Sequence, residues 1–132
     1  MMQFSDRLDI ARITVLEGKT ILEAIQQLND TASQILLVVD TDGSLKGTLS
    51  DGDIRRAIIG GKQLSSGIRD VYNPNPKSLA SYSIEEAKAL MTKHGITRVP
   101  VVNGQNQPVG VISVEEAMSC ESRILSRSNR VV

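Results

Sequence analysis

The chain has 132 residues, 40% of them hydrophobic, a length that buries one core and is too short for two independent domains. Its 15 basic and 15 acidic side chains give no net charge, which excludes a general attraction to nucleic acid or to an anionic membrane, so any anion site must be local. A single cysteine and a single histidine exclude an internal disulfide and a Cys/His zinc cluster, so we expect no structural metal. No apolar stretch resembles a signal peptide or a membrane span, so we expect a cytoplasmic protein.

The first predicted elements are a short strand at residues 13–16 and a helix that begins at Thr20. Thr20 and Glu23 have the Ser/Thr-x-x-Glu spacing of a capping box, in which the two residues satisfy each other's backbone amides. The apolar positions that follow recur with helical spacing and predict one buried stripe: Ile21, Ala24, Ile25 and Leu28.

Residues 35–39 are apolar throughout, which is typical of a strand covered on both faces. The pair Asp42-Gly43 supplies turn chemistry, so residues 45–49 are predicted to return as the second arm of a hairpin. Ser50 then begins a second helix. The predicted order of this half is β-α-β-β-α.

The second half of the chain repeats the first at one constant offset, without gaps. The matched pairs include Leu16 and Leu79, Ile21 and Ile84, Glu23 and Glu86, Val38 and Val101, Gly47 and Gly110, and Ser50 and Ser113. Such a match predicts two copies of one supersecondary unit, forming a single α/β module with pseudo-two-fold symmetry over residues 1–132. We place the copies at about residues 8–61 and 70–120, and a proline-rich connector at 71–76 prevents a helix or strand from running through.

The predicted elements of the second copy carry the same signals. Ser83 and Glu86 have the capping-box spacing, residues 97–102 form the core strand, and residues 109–112 return before a last helix that begins at Ser113. Residues 121–132 are expected to be a tail that leads toward a domain missing from this chain.

The segment from Gly47 to Asp53 has the strongest potential for binding a ligand. It places a hydroxyl, Ser50, and a carboxylate, Asp53, at the first turn of a helix. The hydroxyl and the free N–H groups of the helix end can hold phosphate oxygens, and the carboxylate can accept from both ribose hydroxyls. The same spacing is also that of an ordinary N-cap with an acid in the first turn, so the residues alone leave both interpretations open.

Three arginines could meet an anion. Arg98 stands where the first copy has apolar Ile35, so a guanidinium in this strand needs a partner, which is either a phosphate or a nearby carboxylate. Arg55 and Arg56 either neutralise a phosphate or belong to a solvated helix face. There is no catalytic set, because a Gly-rich phosphate loop with lysine and a Ser/His/Asp combination are both missing.

These features together resemble the paired cystathionine-β-synthase (CBS) domains of a Bateman module. The resemblance covers the chain from Ile13 to about Met118 and is carried by the doubled β-α-β-β-α unit, by the run from His94 to Val102, and by the Gly-x-x-Ser-x-x-Asp pattern that ends at Asp53. It implies a regulatory module that binds AMP, ADP or ATP between its halves, forms a homodimer and is not an enzyme by itself.

The resemblance also implies the residues of two clefts. The first would use Thr48, Ser50, Asp53, Pro76, Lys77, Ile96, Thr97 and Arg98. The second would use Thr14, Val15, Gln34, Ile35, Val111, Ser113 and Glu116. Because Glu116 replaces the expected aspartate and Ile35 replaces an arginine, we expect this second cleft to be empty or weak.

The segment from Ser50 to Arg56 is similar to CBS pairs fused to sugar-phosphate nucleotidyltransferases and to those of sugar-phosphate isomerases. The resemblance of the tail favours an attached nucleotidyltransferase, with the isomerase as the alternative. A structural dimerisation module without ligand is the other alternative. It is suggested by apolar positions on the last helix of each copy that one pair of units does not fully cover, namely Ile54, Ala57, Ile58, Ala117 and Met118.

Overall fold

The structure is a computed structural model that describes residues 10–119. The strands are β1 (Thr14–Leu16), β2 (Ile35–Val39), β3 (Leu45–Ser50), β4 (Arg98–Val102) and β5 (Pro108–Ser113). The helices are α1 (Ile21–Thr31), α2 (Asp51–Ile59) and α3 (Ile84–His94), and residues 114–119 are also helical. Cys120 and the predicted tail at 121–132 lie outside the described residues.

The first half contains a three-stranded sheet in the order β1-β2-β3. Strand β1 is parallel to β2, with Val15 opposite Val38, and β3 is antiparallel to β2, with Leu49 opposite Leu36. All residues of the central strand β2 are buried, as its continuous apolar sequence predicts. The predicted β-α-β-β-α order is therefore confirmed in this half.

In the second half, strands β4 and β5 form an antiparallel pair with Val99 opposite Ile112. The predicted opening strand of this half is reduced to one residue, Leu79, which forms an isolated parallel bridge to Val101. Its amide donates to the Pro100 carbonyl at 2.9 Å, and its carbonyl accepts from the Val102 amide at 2.8 Å. In the first half the Leu37 amide donates to the Ile13 carbonyl at 2.7 Å, but Pro100, the equivalent of Leu37 on β4, has no N–H to make the same bond, which shortens the ladder.

Two apolar clusters lie inside the halves, and a third joins them. The first packs the buried stripe of α1 against the sheet, including Ile21 and Leu36, and the second is built around Val99 and Ile112. The joining cluster consists of Ile10, Leu37, Leu45 and Val102. The two halves therefore share a core and form one pseudo-symmetric body.

The two hairpin turns meet each other with matching backbone conformations. Gly43 and Asn106 occupy equivalent positions of the repeat, and both have positive φ, at 83° and 62°. The Leu45 amide donates to the Asn106 carbonyl at 2.8 Å, and the Asn106 side chain donates back to the Leu45 carbonyl at 3.1 Å. Asparagine replaces glycine here because it tolerates the left-handed region better than most residues.

The helix caps follow local sequence chemistry. At Thr20 and Glu23 the predicted capping box is complete, and the amide and hydroxyl of Thr20, by donating to the carboxylate, lower the pKa of Glu23. At Ser83 the hydroxyl accepts from the Glu86 amide at 3.2 Å, but within residues 10–119 the Glu86 carboxylate makes no return bond to Ser83. The second predicted box is therefore present only as its first half.

The connector is held against the outer edge of β3. Thr48 and Asn73 exchange two backbone hydrogen bonds, of 3.1 and 2.8 Å. Gly47 lies directly under this crossing, and a Cβ at that position would overlap the Asn73 carbonyl oxygen and the Tyr72 ring. The missing side chain of Gly47 thus allows the connector to cross the strand closely enough for the bridge to form.

Candidate functional site

A cavity of about 810 Å³ lies between the two halves, beside the start of α2. From the first half it is lined by Gln34, Ile35, Thr48, Ser50, Asp51, Gly52, Asp53 and Arg56. From the connector and the second half it is lined by Asn73, Lys77, Gly95, Ile96, Thr97, Arg98 and Pro100. It therefore takes side chains from both copies of the repeat.

The first predicted cleft coincides largely with this cavity. Its predicted residues Thr48, Ser50, Asp53, Lys77, Ile96, Thr97 and Arg98 all line the cavity wall. Pro76 does not. It lines a second cavity of about 530 Å³ together with Lys46, Tyr72 and Ser78, whereas Lys77, between Pro76 and Ser78, lines the first cavity.

Asp53 is held rigidly at the start of α2. Its Oδ2 atom accepts hydrogen bonds of 3.0 Å from both the backbone amide and the hydroxyl of Ser50, while its own amide donates to the Ser50 hydroxyl at 3.2 Å. Its Oδ1 atom accepts from Nη2 of Arg56 at 2.7 Å. The N-cap and the ligand-site interpretations of the Ser50 to Asp53 spacing are therefore compatible. The complete capping box holds the Asp53 carboxylate in the cavity wall.

Arg98 lies at the junction of the halves and is held by contacts on several sides. Its Nη2 donates to the side-chain oxygen of Gln34 at 3.0 Å, its Nη1 donates to the Thr97 carbonyl at 3.0 Å, and Nη1 also lies 3.3 Å from Oε1 of Glu115. The Arg98 side chain is only 17% exposed, whereas Glu115 is largely exposed. A nearby carboxylate, one of the two partners considered from the sequence, is therefore the ionic partner of Arg98 here.

The ionisable lining of the cavity is mixed in sign. It comprises Asp51 and Asp53 together with Arg56, Lys77 and Arg98. A cavity with this balance, a positioned carboxylate and the N-terminus of a nine-residue helix suits a ligand that carries both hydroxyl donors and an anionic group.

The residues predicted for the second cleft are distributed differently. Gln34 and Ile35 line the first cavity, beside Arg98. The Thr14 hydroxyl donates to the Ile10 carbonyl at 2.6 Å, and Val15 belongs to the core of the first half. Val111 and Ser113 on β5 and Glu116 in the helical segment that follows are partly buried, and the Ser113 hydroxyl accepts from the Glu116 amide at 3.1 Å. The second cleft remains a prediction.

Some lining residues were not identified from the sequence. Asn73 reaches the cavity because the connector pairs with Thr48, and Pro100 reaches it from the second position after Arg98 on β4. Gly95 ends α3 with φ of 65°, so the left-handed conformation at its C-cap turns the chain toward the wall. The glycine after a predicted helix end was the available signal for that position, whereas Asn73 depends on a long-range pairing.

Two further classes of feature are absent from the described part of the chain. Among residues 10–119, no group of three or more His, Cys, Asp or Glu side chains is arranged to hold a metal ion. Across the same range, no helix has the length and apolarity needed to cross a membrane.

Comparison with known proteins identifies the repeat. The CBS domain family matches residues 9–60 and, a second time, residues 68–122. A curated relative, arabinose 5-phosphate isomerase GutQ of Salmonella typhi, is 30% identical over 103 residues, which are 77% of this chain and 32% of that protein. This chain thus spans about a third of the length of the curated relatives it matches.

Solved structures share the fold. The cytosolic domain of the Mg²⁺ channel MgtE in complex with ATP is 27% identical, with a TM-score of 0.71, and the match covers 82% of this chain and 44% of that one. A CBS domain protein from Pyrobaculum aerophilum complexed with AMP is 24% identical, with a TM-score of 0.72, and the match covers 79% of this chain and 81% of that one.

Proposed function

Since the chain belongs to the CBS domain family, we propose that it is a regulatory module that binds an adenine nucleotide in the cavity beside α2. In this proposal Asp53 accepts from the ribose hydroxyls, the helix start and Lys77 face the phosphate, and Ile96 contacts the base. The pair of CBS domains acts as a regulator and is not itself the catalyst. The related Mg²⁺ channel domain in complex with ATP supports an adenine nucleotide as ligand.

One observation carries the proposal most directly. The capping box at Ser50 and Asp53 orients a carboxylate into a wall that also contains cationic side chains contributed by the other half of the module. A nucleoside phosphate combines diol donors with an anion at a fixed separation, so it can satisfy both groups at once. A ligand that contacts both halves stabilises the arrangement of the halves to which it binds most tightly. Such a difference in affinity between two arrangements is the requirement for regulation.

We further propose that the catalytic domain under control is a sugar-phosphate isomerase. The sequence resemblance favoured a nucleotidyltransferase, but the relative described above is an arabinose 5-phosphate isomerase, of which the matched 103 residues are 32%. The alternative considered from the sequence is therefore the one that the relatives support. A cytoplasmic location is part of the same proposal, supported by the neighbour described as a cytosolic domain.

Calorimetric titration of the chain with AMP, ADP and ATP tests the proposed function. We expect saturable binding of at least one of these nucleotides with one dominant site. The second cleft should bind more weakly, because it has Glu116 in place of the aspartate and Ile35 in place of the arginine of the first cleft. Uridine monophosphate is the matched ligand control, since it keeps the ribose and phosphate and changes only the base. Absence of heat with all three adenine nucleotides at millimolar concentration would refute the proposal.

A second candidate function, dimerisation, is favoured by exposed apolar side chains. Of the apolar positions noted in the sequence, Ile54 and Ala117 are buried within the module, but Ile58 is 40% and Met118 is 61% exposed. The neighbouring Ile59 on α2 is 78% exposed. Single exposed apolar residues are ordinary, but Ile58 and Ile59 are adjacent at the end of α2, and exposed apolar residues that lie next to each other are typical of an interface.

We expect the chain to sediment as a dimer at high micromolar concentration, and Ile59→Glu to shift it to monomer because a buried charge at the contact is costly. Val109→Glu is the control, since Val109 is exposed to a similar degree as Ile58 but lies on β5. A monomeric unmodified chain would contradict the dimer. A dimer that binds no nucleotide would instead support a purely structural module.

A further inference from the structure

Arg56 donates a hydrogen bond to the Asp53 carboxylate, which is the group that the ribose of the proposed ligand needs. Nη2 of Arg56 donates to Oδ1 of Asp53 at 2.7 Å, while Oδ2 receives the amide and the hydroxyl of Ser50. A carboxylate offers about four acceptor positions, so these contacts leave about one. A ribose diol donates two hydrogen bonds. For the diol to bind Asp53 with both hydroxyls, one present donor must therefore leave.

Arg56 is the donor that can leave most easily. The backbone amide of Ser50 is fixed by the helix start, and its hydroxyl is held within the capping box. The Arg56 side chain, in contrast, is 72% exposed, whereas that of Asp53 is 18% exposed. An ion pair with one such exposed partner is weak, and breaking it changes a binding constant by about fivefold at most.

The guanidinium of Arg56 lies beside Gly52 in the first turn of α2. A Cβ at Gly52 would lie 3.4 Å from Nη1 and 3.7 Å from Nη2 of Arg56, and 3.7 Å from the Ser50 hydroxyl. The guanidinium therefore lies close to the helix start, where the backbone amides face the cavity and where an anion is favoured. Both Gly52 and Arg56 line the cavity. A phosphate held there would be within reach of the same side chain after a small rotation.

We propose that Arg56 is a specificity-determining residue that exchanges partners on binding. It pairs with Asp53 as seen in the structure, and when a ribonucleotide binds it releases Oδ1 to the ribose diol and pairs with the phosphate instead. An uncharged nucleoside displaces Arg56 and offers it no new partner, whereas a nucleotide offers it one. The inference rests on the proposed function, because it needs a ligand with both groups, and it adds discrimination between phosphorylated and unphosphorylated ligands.

Titrations of adenosine and AMP into three forms of the chain test the exchange. In Arg56→Ala we expect adenosine to bind about threefold more tightly, because its diol no longer competes with the guanidinium. We expect AMP to bind about tenfold more weakly, because a charge-assisted contact to the phosphate is lost. Arg55→Ala is the matched control, since it removes the same charge from an adjacent exposed residue outside the cavity lining, and it should leave the ratio of the two affinities unchanged.

The outcomes separate this inference from the proposed function. If the unmodified chain does not bind AMP, the proposed function itself is refuted. If it binds AMP but the two variants show the same ratio of AMP to adenosine affinity, only the role of Arg56 is refuted. Adenosine binding that is unchanged, weakened or undetectable in Arg56→Ala would likewise overturn the exchange. Thermal melting of both variants establishes that they are folded before titration.

Discussion

Replacing Gly47 by alanine is expected to lower the melting temperature of the chain by about 10 °C. The added Cβ would overlap the Asn73 carbonyl oxygen, which belongs to the backbone and moves only if the connector moves, and the Tyr72 ring. Overpacking of this kind costs about 2–3 kcal/mol, and each kcal/mol corresponds to roughly 3–5 °C for a domain of this size. The physical cause is the loss of the backbone bridge between Thr48 and Asn73.

The pseudo-symmetry of the chain supplies a matched control for this prediction. Gly110 is the equivalent of Gly47 in the second copy, and the nearest atom to a Cβ placed there is Cβ of Val101 at 3.9 Å, an ordinary contact. We therefore expect Gly110→Ala to melt within about 2 °C of the unmodified chain. Equal melting temperatures for the two variants would show that the connector does not press on β3 as the structure indicates.

The same substitution should also weaken ligand binding. Lys77, the residue that follows the connector, lines the cavity wall, and Asn73 of the connector lines the same wall. A connector displaced from β3 therefore moves a cation away from the helix start. We expect Gly47→Ala to bind the nucleotide more weakly than Gly110→Ala at a temperature where both are folded.

Asp53→Asn is expected to weaken nucleotide binding by tenfold or more. The side-chain amide of asparagine is close in shape to the carboxylate and keeps one oxygen to accept from Ser50. It lacks the negative charge, however, and has half of the acceptor capacity. A hydrogen bond to a charged group contributes about 1.5–3 kcal/mol, which corresponds to at least tenfold in affinity. Calorimetry with AMP measures the effect, after melting has shown that the cap still holds.

A ligand without the diol isolates the contact. The 2′,3′-dideoxy form of AMP should bind the unmodified chain weakly, and it should bind Asp53→Asn with almost the same affinity. The reason is that the carboxylate removed from the protein and the hydroxyls removed from the ligand are the two partners of one contact. Glu116→Gln is the protein control, since Glu116 is the equivalent residue of the second copy, and it should leave the dominant site unchanged. If Asp53→Asn lost the same factor with both ligands, Asp53 would not contact the ribose.

The local chemistry of each repeat could be predicted from the sequence because it acts over three or four residues. The capping box at Thr20, the N-cap at Ser50 and the all-apolar strand β2 are confirmed, since caps and burial patterns depend on neighbours in the chain. The gapless repeat also predicted two equivalent halves, and the family resemblance named residues from both halves that line one cavity. These properties are determined by the amino-acid sequence alone.

Only the tertiary structure decided the contacts that join distant segments. The opening strand of the second half shrinks to Leu79 because its neighbouring strand β4 has Pro100, without an N–H, where β2 has the donor Leu37. Arg98 finds Gln34 and Glu115, and Gln34 turns toward the first cavity, because the two halves meet at the ends of β2 and β4. The ion pair between Arg56 and Asp53 is a local contact, because the two residues are three positions apart on α2. Its consequence for ligand binding, however, depends on the cavity residues that the second half contributes. Contacts of this kind depend on how the halves pack, and periodicity within each half carries no information about that packing.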